Sequence, residues 1–167
     1  MTKFVSVLAL SGLLGVSVCG AAAPESWSAL NLQVLELYQK KYYTKAIPVA
    51  QKARDAAESE YGANSRESIL AMNNLAMLYK KTDRLSAAEA LYKKSLLASG
   101  KLLGENHPDL ALPLGNLAML YNEQKDYKKA DYYSQRAIAL LQQSYGPEHE
   151  YTVQARERYE AMKKARV

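Results

Sequence analysis

His107 and His149 are the only two histidines in the chain, and imidazole is the side chain best suited to metal ligation or proton transfer near neutral pH. They lie 42 residues apart at equivalent turns. Stacked repeats would hold them about one helix pair apart, too far for a shared metal whose ligands sit at roughly 2 Å. Each is better placed to cap the helix that follows it. Cys19 is the only thiol, and the carboxylates are scattered along helix surfaces, where solvation and i to i+4 pairing account for them. The sequence has no Gly-rich phosphate loop, no Gly-x-Ser-x-Gly elbow and no His-Glu-x-x-His pair. No catalytic residue, metal site or cofactor is therefore expected, and the chain does not read as an enzyme.

The first 23 residues differ from the rest. Lys3 supplies a positive start, Phe4 to Val18 form an uncharged run rich in Leu and Val, and Ala21, Ala22 and Ala23 make a small-residue cleavage region. This pattern predicts a signal peptide over 1–23, an exported mature chain over 24–167, and a periplasmic or secreted location. The apolar run is shorter than the roughly 20 residues a membrane-spanning helix needs, so stable insertion after cleavage is not expected. A lipid anchor on Cys19 is a subordinate reading, because Val18 stands where a bacterial lipobox carries Gly or Ala.

Net charge is +5 in the full chain and +4 once Lys3 leaves, with no Lys/Arg-rich run. Lys163, Lys164 and Arg166 read as cations at a helix C-terminus, where they suit the dipole. Nucleic acid is not an expected partner. An apolar share of 49% argues for an ordered core.

The organising feature is a 42-residue repeat. Asn74-Leu75-Ala76-Met77-Leu78-Tyr79 recurs unchanged as Asn116-Leu117-Ala118-Met119-Leu120-Tyr121. The same offset relates Ala46, Ala88 and Ala130, and Gly62, Gly104 and Gly146. A period in this range marks a solenoid. Copies fall at about 30–71, 72–113 and 114–155, with a cap at 150–167.

Apolar spacing predicts helices over 25–40, 44–61, 66–81, 85–103, 108–124, 127–145 and 150–165, and no strand. The three glycines are expected to adopt left-handed C-terminal caps, and Asp126 to cap the helix after it. Pro48 falls in a first helical turn and should be tolerated; Pro113, about six residues into its helix, should kink it.

Asn-Leu-Ala-x-Leu-Tyr, Tyr127 with Ala130, and Gly104-x-x-His107-Pro108-Asp109 together resemble the tetratricopeptide repeat family, in its 42-residue kinesin-light-chain-like form, over about residues 28–166. The resemblance implies an all-α, right-handed superhelical solenoid of antiparallel helix pairs: three repeats and a C-terminal capping helix. It also implies an interaction module whose first helices line a groove for a protein or peptide. By register the groove residues would be Asn31, Leu35, Tyr38, Asn73, Asn74, Met77, Lys80, Lys81, Asn116, Met119, Asn122 and Arg158. An Asn amide can pair with a peptide backbone through both a donor and an acceptor, and Lys80, Lys81 and Arg158 favour acidic segments or a C-terminal carboxylate. The asparagines could instead fix helix stacking, and the methionines could be core. An adaptor or assembly role in a bacterial envelope is the leading expectation, and a self-associating scaffold the alternative. A glycan or peptide platform on Tyr132 and Tyr133 is a lesser one.

Overall fold

The computed structural model describes residues 25–166; the predicted leader lies outside them. All regular structure among the described residues is helical. Seven α-helices follow in chain order: α1 Trp27–Gln39, α2 Tyr43–Tyr61, α3 Arg66–Lys81, α4 Leu85–Leu103, α5 Ala111–Glu123, α6 Tyr127–Tyr145 and α7 Glu150–Lys164. Each packs on the next, so that three antiparallel pairs stack into a solenoid and α7 closes the far end. None of these helices is long and apolar enough to cross a membrane.

Alanine sets the closeness of each pair. Ala46, Ala88 and Ala130, one per copy, are fully buried, as is Ala76 on a first helix, and Ala118 at its equivalent position is almost so. A side chain of one carbon lets two helix backbones approach where a larger one would wedge them apart. Leucines fill the flanking space: Leu30, Leu75 and Leu78 in the first cluster, Leu117 and Leu120 in the second, Leu110, Leu114 and Leu140 in the third.

Tyrosine hydroxyls tie one copy to the next. Tyr79 Oη accepts from Gln51 Nε2 at 3.0 Å. Its equivalent, Tyr121, donates to Glu89 Oε1 at 2.8 Å, lies parallel to the Tyr133 ring, and has Lys129 Nζ 4.9 Å from its ring centre. Burial first, then this bond to Glu89, raises the Tyr121 phenol above its ordinary range.

Helix starts follow a local rule. Ser65 Oγ, His107 Nδ1 and His149 Nδ1 occupy one register and each accepts from the backbone N–H two or three residues on, as Asp126 does from Lys129. In two copies a hydroxyl reinforces the turn, Ser68 Oγ donating to the Gly62 carbonyl at 2.7 Å and Thr152 Oγ1 to that of Gly146 at 2.8 Å. Leu110 replaces the hydroxyl in the copy between, and there Pro108–Leu110 forms a 3-10 turn before α5 begins.

That turn corrects the reading of Pro113. With α5 starting at Ala111, Pro113 is its third residue, where the missing N–H would have had no intrahelical partner, and no kink is required. Pro48 lies deeper, inside α2. It is tolerated there, and both it and Thr44, whose carbonyl loses its helical donor, are exposed residues.

The glycines also depart from expectation. Gly62, Gly104 and Gly146 have φ of 91°, 93° and 93°, with ψ of 157°, 151° and 164°. This is not the left-handed helical region but one essentially closed to other residues. The left-handed positions lie at the tighter turn within each pair, at Lys41, Asp83 and Lys125. Gly104→Ala is therefore expected to lose about 1–3 kcal/mol by backbone strain alone, since an added Cβ meets nothing within 4 Å. Lys125→Gly is expected to gain up to about 1 kcal/mol. Urea unfolding of both variants, read for opposite signs, checks the assignment.

Candidate functional site

Positions four and three residues apart on a helix share a face. On α1, α3 and α5 one such face carries Leu32, Leu35, Leu70, Met77, Leu112 and Met119, with Asn74 and Asn116 between them. Several are far more exposed than their type favours: Leu32 67%, Leu112 65%, Leu70 44% and Met119 43%. The surface formed by the first helices is thus an apolar stripe with amides set into it. Leu32, Leu70 and Leu112 were not among the expected groove residues, although the 42-residue match of Leu70 with Leu112 was visible in the sequence.

At the C-terminal end the stripe deepens into a cleft of about 700 Å³ between α5, α6 and α7. Ser134, Ala137 and Leu141 of α6 form one wall. From α5 come Leu112, Gly115, Asn116 and Met119, and from α7 Gln154, Arg158 and Met162. Asp109 and Tyr145 line it as well. Two substitutions relative to the middle copy create the space. Gly115 stands at the register of Asn73, and a Cβ there would meet nothing within 4 Å. Ser134 stands at the register of the buried Tyr92.

The expected groove residues divide. Asn116, Met119 and Arg158 meet at the cleft. Lys81 is exposed but belongs to α3, outside the cleft lining. Met77 is half-buried. The remaining polar groups are held inside the molecule, against the expectation that they face a ligand. Asn74 Nδ2 donates to Asn31 Oδ1 at 2.9 Å, a link between copies. Asn73 turns toward α4, donating to the Ile69 carbonyl and to Ser95 Oγ. Lys80 is ion-paired to Glu123 at 3.0 Å with little of its side chain exposed. Asn122 accepts from Arg166 Nε, and Tyr38 packs on the first core cluster beside Tyr43. Helical register says which residues share a face; it does not say which of them have a neighbour to bond.

Among the described residues no group of three His, Cys, Asp or Glu is placed to hold a metal. Both imidazoles serve as caps, and His149 also stacks on Tyr145, with ring centres 4.8 Å apart. Tyr132 and Tyr133 meet edge to face, and Tyr133 is engaged with Tyr121, so the pair is not an open platform.

Helix pairs stacked in this way, with buried alanines at a 42-residue spacing, match the tetratricopeptide repeat family over residues 28–99, 71–143 and 109–159. The chain belongs to the tetratricopeptide repeat family. Its fold is similar to that in the crystal structure of BtubC (BKLC) from P. vanneervenii, with a TM-score of 0.74 at 23% sequence identity. The likeness covers 83% of this chain and 56% of that one, so this chain spans little more than half of BtubC. No curated protein matches the sequence. Tetratricopeptide repeats support a role in protein–protein interaction or scaffolding.

The cleft depends on how α7 is held. At one end Thr152 bonds Gly146, and Arg156 donates to the Pro147 carbonyl. At the other Arg166 Nη2 pairs with Asp131 at 2.8 Å and stacks over Tyr127. The Arg166 guanidinium, hydrogen-bonded to Asp131, holds that carboxyl below the usual carboxylate range. A lowered folded-state value means that the pairing stabilises above the unfolded carboxylate range and is lost as pH falls through the folded one. Asp131→Asn should speed amide exchange in the last turn of α7 at neutral pH while leaving α3 unchanged. Below about pH 4 the wild-type protein should approach the variant, after correction for intrinsic exchange rates.

Proposed function

We propose that the protein is an exported adaptor or assembly factor of a bacterial envelope, and that it takes a segment of a partner protein into the cleft between α5, α6 and α7. The observation that carries this is the cleft itself: about 700 Å³ bordered by exposed Leu112 and Met119. Recessed apolar surface with a few convergent polar groups is the form that binding sites commonly take. A preformed wall limits the ordering cost of association. Export is supported by the sequence of Lys3, the apolar run to Val18 and the following alanines.

Charge narrows the earlier expectation of an acidic ligand. Lys80 is neutralised by Glu123, leaving Arg158 as the cation at the cleft. The partner is thus expected to be mainly apolar with a local acidic group, not acidic throughout. Self-association by end-to-end stacking has less support. The positions of Leu75 and Leu78, which bury α3 on α2, are Gln33 and Glu36 on α1. At the other end Arg156 and Glu160 of α7 replace the buried Leu114 and Ala118.

Gly115→Leu separates binding from folding. A leucine in a helix interior is more favourable than glycine by up to about 1 kcal/mol, so the variant should melt about 2–4 °C higher while its side chain enters the cleft. A partner retained from envelope extract by the wild-type protein should be lost by the variant. Equal retention by both would sink the cleft as the binding site.

A further inference from the structure

Charge in this molecule is sorted between two edges, although no run of the sequence is rich in one sign. Stacked antiparallel pairs put the turn within each pair, and the end of α7, on one edge; the crossings between pairs lie on the other. Bonds between copies hold that alignment, from Lys80 at the end of α3 to Glu123 at the end of α5, and from Arg166 after α7 to Asn122. On the first edge, segments 40–45, 80–84, 125–129 and 163–166 hold three Lys or Arg each, against only Asp83 and Asp126. On the second, segments 58–67, 101–109 and 146–150 hold seven acids against Arg66 and Lys101.

Local chemistry does not account for the basic edge. Five of its cations are ion-paired, to Glu36, Glu123, Asp126, Asp131 and Glu160. The rest are exposed with no ion-pair partner among the described residues: Lys41 and Lys45 at the first turn, Lys81 and Arg84 at the second, Lys125 and Lys128 at the third, and Lys164 at the end. Helix dipoles favour Lys81 and Lys164, which end their helices. They oppose Lys45, Arg84 and Lys128, which stand at the starts of α2, α4 and α6, whose first turns carry no acid. Lys41 and Lys125 occupy left-handed tips, at φ of 60° and 61°, that glycine would adopt at less cost. Tyrosine stands among these cations. Tyr42 is 51% exposed with Lys45 Nζ 5.1 Å from its ring centre, and the Arg166 guanidinium lies 4.7 Å from that of the exposed Tyr127.

We infer that this edge docks on an anionic phospholipid surface, with the helices upright on the membrane. Cations divided among four separate tips along one edge suit a plane of charge; a nucleic-acid duplex or an acidic peptide calls for cations around a groove or along one helix face. Lysines near an anionic leaflet are attracted within a Debye length of it, and tyrosine prefers the level of the headgroups. The acidic edge is repelled by the same field, so the sorting of charge fixes the orientation as well as the attraction. Asp109, Tyr145 and Tyr151 bring the cleft to the acidic edge, which leaves it open to a partner. The inference does not rest on what the cleft binds.

The test uses residues 24–167, which hold all seven helices and omit the apolar run of 4–18, whose own affinity for lipid would mask the effect. Vesicles of phosphatidylcholine mixed equally with phosphatidylglycerol should sediment the protein at low salt. Phosphatidylcholine alone should not, and added salt should release it. Lys45→Gln, Lys81→Gln and Lys128→Gln together remove one free cation from each turn and should weaken binding about a hundredfold, from roughly fivefold per cation. Lys52→Gln, Lys94→Gln and Lys101→Gln together make the same change in net charge away from this edge and should leave binding within about threefold of wild type. Gly115→Leu, which fills the cleft, should not alter it. Orientation is read with phosphatidylglycerol brominated on its acyl chains. Trp27, the only tryptophan, starts α1 and stands about 20 Å from the basic edge across 13 residues of helix. Its fluorescence should escape quenching, while Tyr42→Trp should add a signal that is quenched. Equal losses in the two triple variants, or quenching of Trp27, would overturn the inference. So would binding of duplex DNA or polyglutamate by a protein that leaves the anionic vesicles in solution.

Discussion

The closeness of the two helices within each pair is the constraint from which the rest of this molecule follows. It is set by Ala46, Ala88 and Ala130, each without measurable exposure, and by Ala76 and Ala118 opposite. A larger side chain at any of them would cost about 1–3 kcal/mol by overpacking and would open the pair. With the helices held that near, flanking leucines reach across to the next pair. The tyrosine ending each repeated motif then lies close enough to the preceding copy to bond it, Tyr79 to Gln51 and Tyr121 to Glu89. The Glu89 carboxyl is held below its ordinary range mainly by its hydrogen bond with Lys93, and so remains an ionised acceptor for Tyr121. Close pairing thus comes first, and the links between repeats depend on it.

A stack of this kind has to end, and both ends are made from the same register. Gln33 and Glu36 take positions that are leucine in the two following copies. Arg156 and Glu160 take positions that are buried where a second helix follows. Because each pair touches only its neighbours, polar residues at the ends cost nothing to the packing in between. The same independence explains how the last seam can be left open: a small residue at Ser134 or Gly115 loosens only the junction of α5, α6 and α7.

Helices, turns and caps were legible in the sequence because they obey local rules. Apolar spacing located all seven helices to within two residues at nearly every end, and Asp126, His107 and His149 cap where their chemistry suggested. What failed was anything requiring a second segment. Nothing local distinguishes Asn116, which faces the cleft, from Asn74, which is bonded to Asn31 in the neighbouring copy. Lys80 and Asn122 were read as exposed because helical register places them on the groove side. Glu123 and Arg166, each more than 40 residues away, occupy them instead. The glycines were recognised as special, but their ψ near 155° depends on how the chain crosses from one pair to the next, which residue type alone does not encode.

The candidate site is therefore best understood as a subtraction. Its apolar lining residues are ordinary repeat residues, and Met119 and Leu112 have counterparts in Met77 and Leu70. What distinguishes the third copy is what it lacks: the amide of Asn73 at Gly115 and the ring of Tyr92 at Ser134. Glycine within a helix costs about 1 kcal/mol relative to alanine, and an unfilled seam forfeits dispersion contacts along its walls. Neither loss is repaired by a hydrogen bond or a closer approach of α7, which is fastened instead at its two ends through Thr152 and Arg166. With α7 fastened at its ends, and with Met162 packed on the second core cluster, the seam stays open beside Gln154 and Arg158. A stable solenoid has no need of such a gap, and a binding module does.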